Sequence, residues 1–342
     1  MSSKSKTFTR RDLLRLSGVS AAMSGVAAAN YNFRKYQQPR TRVGIYKVTG
    51  YDRPLDKTIR EGLLNYPDIV RRAQSGPVVL KPNLVEYNRS RPINTNPAVV
   101  AATIAAFKSI GAKHVIVAEG PGHCRDTELL VQESDLDHAV RSESAEFIDL
   151  NLDPVRAVTL PANHTKLKEI RFGETLLGAS LIVSMPKLKT HHWAGVTLSL
   201  KNMFGTVPGA QYGWPKNILH WHGIENSIVD INTALKPHFA IVDGIEGMEG
   251  DGPLRGDRVS SQVIIMGENL TAVDATGARV MGFHPESITH LRMMLAHGGT
   301  VNADRIEQIG ESIASVAKQF QVMPAHAILL QPLPLYSVWH GV

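Results

Sequence analysis

Cysteine is almost missing from this chain of 342 residues; Cys124 is the only one. A lone thiol cannot close an internal disulfide, complete a four-thiolate zinc site or hold an all-cysteine iron–sulfur cluster. Aromatic residues are scarce too, at 6%. No basic stripe is interleaved with stacking aromatics, so nucleic acid is not an expected partner. Several catalytic signatures are also lacking. Gly120-Pro121-Gly122 does not continue into G-x-G-x-x-G, Ser184 is not in G-x-S-x-G, and there is no H-E-x-x-H.

The formal charge of +6 is concentrated at the front of the chain. Residues 1–29 carry Lys4, Lys6, Arg10, Arg11 and Arg15 against Asp12, which leaves 32 basic and 30 acidic residues for everything after them. The body is therefore close to neutral, and its basic residues matter only where they cluster. Thr9-Arg10-Arg11-Asp12-Leu13-Leu14 is followed by a mild Ala-, Gly- and Ser-rich stretch up to Ala29. That order resembles a twin-arginine export signal, with Ala27-Ala28-Ala29 as a small-residue cleavage site. The apolar stretch falls short of the roughly 20 residues of a membrane-spanning helix. The expectation is a periplasmic or otherwise exported protein that engages the twin-arginine machinery and has no stable membrane span once the signal is removed.

Residues 30–41 are polar and basic with Pro39, and read as a linker; the folded body is expected over 42–342. Short β-branched runs at 42–48, 77–80, 114–118, 181–184, 239–243 and 262–267 alternate with helical patterns at 98–110, 222–235 and 270–281. The first of these helices has its start written in full: Asn96 to cap, Pro97 at the first position, and Gly111 as the stop. Strand, helix, strand implies a parallel sheet with right-handed crossovers. The expected fold is α/β, a doubly wound and mostly parallel sheet with helices on both faces. Runs at 147–150 and 154–160 mark extra strands or an inserted subdomain.

Ligands of such sheets bind beyond the carboxyl ends of the strands. Four strand ends here carry charge or glycine: Lys81-Pro82-Asn83, Glu119-Gly120, Lys187-Leu188-Lys189-Thr190-His191, and Asp243 with Glu246 and Glu249 in a glycine-rich segment up to Pro253. That last segment reads as an acidic loop able to approach a hard cation, without the register of an EF-hand. Lys81, Lys187, Lys189 and Lys201 suit a phosphate or carboxylate. Asn83, Glu119 and Asn202 are added as substrate contacts. His191 and His220 are candidate metal ligands together with Glu246. The glycines and prolines after Phe204 suggest a lid.

Lys81-Pro82-Asn83-Leu84, Ser184-Met185-Pro186-Lys187-Leu188-Lys189-Thr190-His191, Thr197-Leu198-Ser199-Leu200-Lys201-Asn202-Met203-Phe204-Gly205, Asp243-Gly244-Ile245 and Ala272-Val273-Asp274 together resemble the family called domain of unknown function 362. The resemblance implies an α/β core and a single pocket lined by the Lys, Asn, His and acidic positions above. Some relatives add a ferredoxin-like module with cysteine-ligated clusters, and this chain lacks the cysteines for one.

Two readings stay open at this point. The first is an exported enzyme that binds a small anionic substrate, with Lys81, Lys187, Asp243 and Glu249 as catalytic candidates and a divalent metal as candidate cofactor. The second is a non-catalytic metal- or ligand-binding protein of the envelope, in which His191, His220 and Glu246 hold the cation.

Overall fold

The computed structural model describes residues 38–122 and 126–333. The expected signal segment, residues 30–37 of the expected linker, and Cys124 with His123 lie outside them. Pro39–Pro332 form a compact unit, and the architecture below is that of this unit.

Its first strands are β1 (Thr41–Lys47), β2 (Val78–Pro82), β3 (Val115–Glu119) and β4 (Glu146–Asp149). A small antiparallel pair follows, β5 (Val155–Thr159) with β6 (Glu169–Gly173), then β7 (Leu181–Met185), β8 (Lys187–His191) and β9 (Gly195–Thr197). The chain closes with β10 (Phe239–Glu249), β11 (Asp257–Gly267) and β12 (Ile306–Gly310). All but β5 and β6 belong to one ten-stranded sheet in the order β12-β1-β11-β10-β7-β2-β3-β4, with β8 on β10 and β9 on β8. Most neighbours are parallel; β11 runs against both β1 and β10, and β9 against β8.

Helices cover both faces, because each face of the sheet has its own apolar cluster. Leu55, Ile59, Val99, Ile104 and Phe107 pack on one side with Val78, Leu80 and Ile241. Leu200, Ile228, Ile231, Val273 and Ala278 pack on the other with Val79, Ile182 and Val242. Inner strands buried on both faces explain why their sequences are continuous Val/Ile runs rather than alternating ones. The helix Pro97–Ser109 starts as its sequence dictates, with the Asn96 side chain accepting from the Ala98 N–H at 2.9 Å.

One expectation fails for a clear physical reason. The first part of the glycine-rich acidic segment after Asp243 is strand rather than loop: β10 continues to Glu249, paired with β11 across a bulge between Gly244 and Glu246, and the chain turns only after Gly250. Its glycines make room rather than turns. A Cβ on Gly244 would lie 2.9 Å from Val263 Cγ2 and 3.0 Å from Leu188 Cδ2, and one on Gly247 would lie 2.9 Å from the Leu188 carbonyl. Strand glycines of this kind mark close approach of neighbouring chains.

Candidate functional site

Two strand ends set the floor of a cavity of about 180 Å³. Lys81 lies at the carboxyl end of β2 and Glu119 at that of β3, side by side because these strands pair in parallel. Their side chains form a fully buried ion pair. Burial works against both charges, lowering the lysine and raising the carboxyl from their ordinary values, and each partner opposes the other's shift. Lys81 also donates to the Pro82 carbonyl at 2.9 Å and to Asn202 Oδ1 at 3.3 Å, so its ammonium has no hydrogen left over.

Asn202 and Lys201 come from the short helix Ser199–Asn202. Four residues cannot hold a helix by propensity, and this one is fixed from outside. The buried Asp274 carboxylate, on the helix Leu270–Val280, accepts from the Ser199 N–H at 2.7 Å, from the Leu200 N–H at 3.0 Å and from the Ser199 hydroxyl. Asn202 then spans the strand ends, donating to the Lys81 carbonyl at 3.0 Å and to the Ser184 hydroxyl at 3.1 Å, while its Oδ1 accepts from Asn83 at 3.2 Å.

Lys189 and His191 reach the cavity from β8. Lys189 donates to the Ile93 carbonyl at 2.7 Å, and burial, then nearby Lys201, pushes it well below an ordinary lysine. Lys216 enters from the segment after Phe204 and donates to the carbonyls of Gly120, Phe204 and Gly205 at 2.8, 3.3 and 3.1 Å. Burial brings its ammonium down to about 7.

Lys201 differs from the other three. Among the described residues its Nζ has no hydrogen-bond acceptor and no carboxylate partner; it stands 4.3 Å from the centroid of the Phe204 ring. Burial, reinforced by Lys81, lowers it to about 8.

Among the described residues, two acceptors in the same wall also lack partners, Glu119 Oε2 and Asn83 Oδ1. His191 accepts the Trp193 N–H on Nδ1 at 3.0 Å, which assigns its proton to Nε2 and makes it a donor. His220 faces the opposite way chemically: Nδ1 lies 3.2 Å from the Lys216 carbonyl and so carries the proton, leaving Nε2 as an acceptor. Burial and Lys201 hold both imidazoles below their usual range, and therefore neutral. Among the described residues, no three His, Cys, Asp or Glu side chains are grouped as a metal ion would require.

The sequence-predicted residues thus divide. Lys81, Asn83, Glu119, Lys189, His191, Lys201, Asn202 and His220 line this cavity. Lys187, Asp243, Glu246 and Glu249 do not. Lys187 Nζ meets Asp243 Oδ2 at 2.6 Å, and Tyr51 closes the group with its hydroxyl 3.1 Å from Asp243 Oδ1. Lys187 and Glu246 border a separate depression of about 720 Å³, where Arg258 holds Glu246 at 3.0 Å. Glu249 accepts the Gln321 N–H at 2.8 Å and pins the later chain to β10.

Residues 78–279, more than half of the chain, match the family described as Domain of unknown function (DUF362). The chain belongs to that family. A thylakoid-associated protein of Synechocystis sp. is 26% identical over 220 residues, 62% of this chain and 64% of that protein, so less than two thirds of the relative's own length is spanned. Among solved structures, the lactate racemase apoprotein from Thermoanaerobacterium thermosaccharolyticum is similar with a TM-score of 0.39 and 12% identity, over 60% of this chain and 51% of the other. A structural-genomics target from Thermotoga maritima gives a TM-score of 0.29 at 14% identity, over 56% and 50%.

Four contributors to the site of this DUF362 protein escape a reading of residue types. Lys216 sits in a Gly/Pro-rich segment with no strand or helix pattern to aim it. Asp274 looks like one more polar residue of a helix, although its burial inside an apolar run was a usable signal. His192 and Trp193 follow His191 in sequence and ring the cavity, but nothing in their spacing separates them from surface residues.

Proposed function

We propose that the cavity binds a small carboxylate- or phosphate-bearing substrate and that the protein is an enzyme acting on it. One observation carries the reading: Lys201 is a partly buried cation at the cavity wall and, among the described residues, has no anion or carbonyl to meet it. A charge left so is costly, and an incoming anion would offset that cost. The Nε2–H of His191 and the remaining hydrogen of Lys189 add donors beside it. Glu119 Oε2, without a donor of its own, is the group placed to take or return a proton. Lysines rather than imidazoles carry this proposal, because the His191 Nδ1 lone pair is already occupied.

The experiment is thermal denaturation of the purified protein with inorganic phosphate and with acetate. Both are expected to raise the melting temperature in proportion to the logarithm of concentration. Lys201→Met is expected to remove the effect. An unaltered melting temperature at high anion concentration, or an equal shift in Lys201→Met, sinks the reading.

Export through the twin-arginine route is proposed with it, on the order of Arg10-Arg11, Leu13-Leu14 and the small apolar stretch that follows. Among the described residues, no helix is long and apolar enough to cross a membrane. Cell fractionation tests this: replacing Arg10 and Arg11 by Lys should leave the protein in the cytoplasm, and unaltered distribution would refute the route.

A further inference from the structure

The lysine floor is only half of the cavity; its mouth is built from rings. His191, His192, Trp193, His220 and Phe204 all line it and touch in series. Ring centroids are 5.0 Å apart between His191 and His192, 4.7 Å between His192 and Trp193, 5.0 Å between Trp193 and His220, and 5.0 Å between His220 and Phe204. The Trp193 contacts are edge-on, at 83° to His192 and 69° to His220. Trp193 is 55% exposed, so a large part of the indole is open to an incoming ring. The arc ends at Phe204, directly below the Lys201 ammonium.

We infer that the ligand is a single-ring aromatic acid, an aryl carboxylate or aryl phosphate, with its charge at Lys201 and its ring against the arc at Trp193. This deepens the anion reading and rests on it. Size agrees: a cavity of about 180 Å³ has room for one ring with its acid group. Charge agrees as well. An aromatic cation would gain from the rings but meet the Lys201 ammonium, which has no carboxylate partner among the described residues, whereas an aromatic anion satisfies both halves. The imidazoles of His191 and His220 are neutral and serve as ring surface rather than as competing charges. Trp193 is then a specificity residue: it chooses the aryl acid over an anion of the same head group.

Calorimetric titration of the full chain at pH 7 tests this with benzoate against acetate, phenyl phosphate against inorganic phosphate, and benzylamine as an aromatic cation. The aryl acids are expected to bind about tenfold more tightly than their ringless counterparts, the scale of an aromatic contact plus its buried area. Benzylamine should not bind. In Trp193→Ala the aryl preference should fall below about threefold, and Trp193→Phe should restore most of it. Trp193 is exposed, so the unliganded melting temperature of both variants should match the parent and separates misfolding from lost recognition. Equal affinity for benzoate and acetate, or a preference that survives Trp193→Ala, overturns the inference while the anion site stands. Binding to phosphatidylglycerol vesicles without binding to the free aryl acids would overturn it in favour of a lipid surface. Absence of binding by every anion would remove the anion reading itself.

Discussion

Lys187 and Asp243 face each other from adjacent strands, Nζ to Oδ2 at 2.6 Å, with both side chains out of reach of water. The strand register makes the pair, since Lys187 on β8 is directly opposite Asp243 on β10. The carboxylate has further duties: it accepts the Asn96 N–H at 2.9 Å, where the helix Pro97–Ser109 begins, and the Tyr51 hydroxyl at 3.1 Å. One acid thereby ties together β8, β10, a helix start and the segment after β1. This is the work of a structural brace, and it accounts for the charge at these strand ends without any ligand.

Breaking that pair from one side leaves a buried charge alone. Asp243→Asn should therefore cost about 3–5 kcal/mol of stability. The double variant Lys187→Met, Asp243→Leu should recover much of this, because no unpaired charge remains. Urea denaturation of the parent, of Lys187→Met and Asp243→Leu singly, and of the double variant gives the coupling directly. Additive losses would show that the two groups do not depend on each other.

Gly205 allows a second prediction about the floor of the cavity. Its backbone lies against the Lys81–Glu119 pair so closely that a Cβ would fall 2.5 Å from Lys81 Nζ and closer still to Glu119 Oε1. Gly205→Ala must push the ion pair apart or displace the short helices after Ser199. Overpacking of this kind costs about 1–3 kcal/mol. A lower melting temperature is expected, together with weaker anion binding as Lys201 moves with its helix. Parent-like stability and affinity in Gly205→Ala would mean that the pair has slack that its burial does not suggest.

Most of the sheet was legible because its inner strands are short β-branched runs bounded by Pro and Gly, and the helix after Asn96 announces both its ends. Doubly buried strands leave that signature whatever surrounds them. The continuation of β10 was not legible: Gly244, Gly247 and the acids around them carry every local mark of a turn, and only the proximity of Leu188 and Val263 explains the glycines. The site divides in the same manner. Lys81 and Glu119 could be placed because strand ends of a parallel sheet converge. The departure of Lys187 to Asp243 while Lys189, two residues on, reaches the cavity depends on a register shift between β8 and β10. Residue types carry no trace of such a shift.

The pH dependence of anion affinity follows from the state of Lys201. Its ammonium is the form that attracts the ligand, and in the empty cavity it releases its proton near 8 rather than near the 10.5 of a free lysine. Acetate is ionised throughout the range from neutral to alkaline pH, so the ligand's own charge does not change there. Affinity should be level up to about 8 and then fall, approaching a tenfold loss per pH unit until the higher value that the bound anion restores to Lys201 is reached. Binding at alkaline pH must then take up protons, so calorimetric heats should differ between buffers of different ionisation enthalpy. Lys201→Arg separates this from a general alkaline loosening of the fold. A guanidinium keeps its charge throughout, so the variant's acetate affinity should stay level where that of the parent declines. A parallel decline in parent and Lys201→Arg would transfer the titration to another group, with Lys216, which releases its proton near 7, the first to examine by the same substitution.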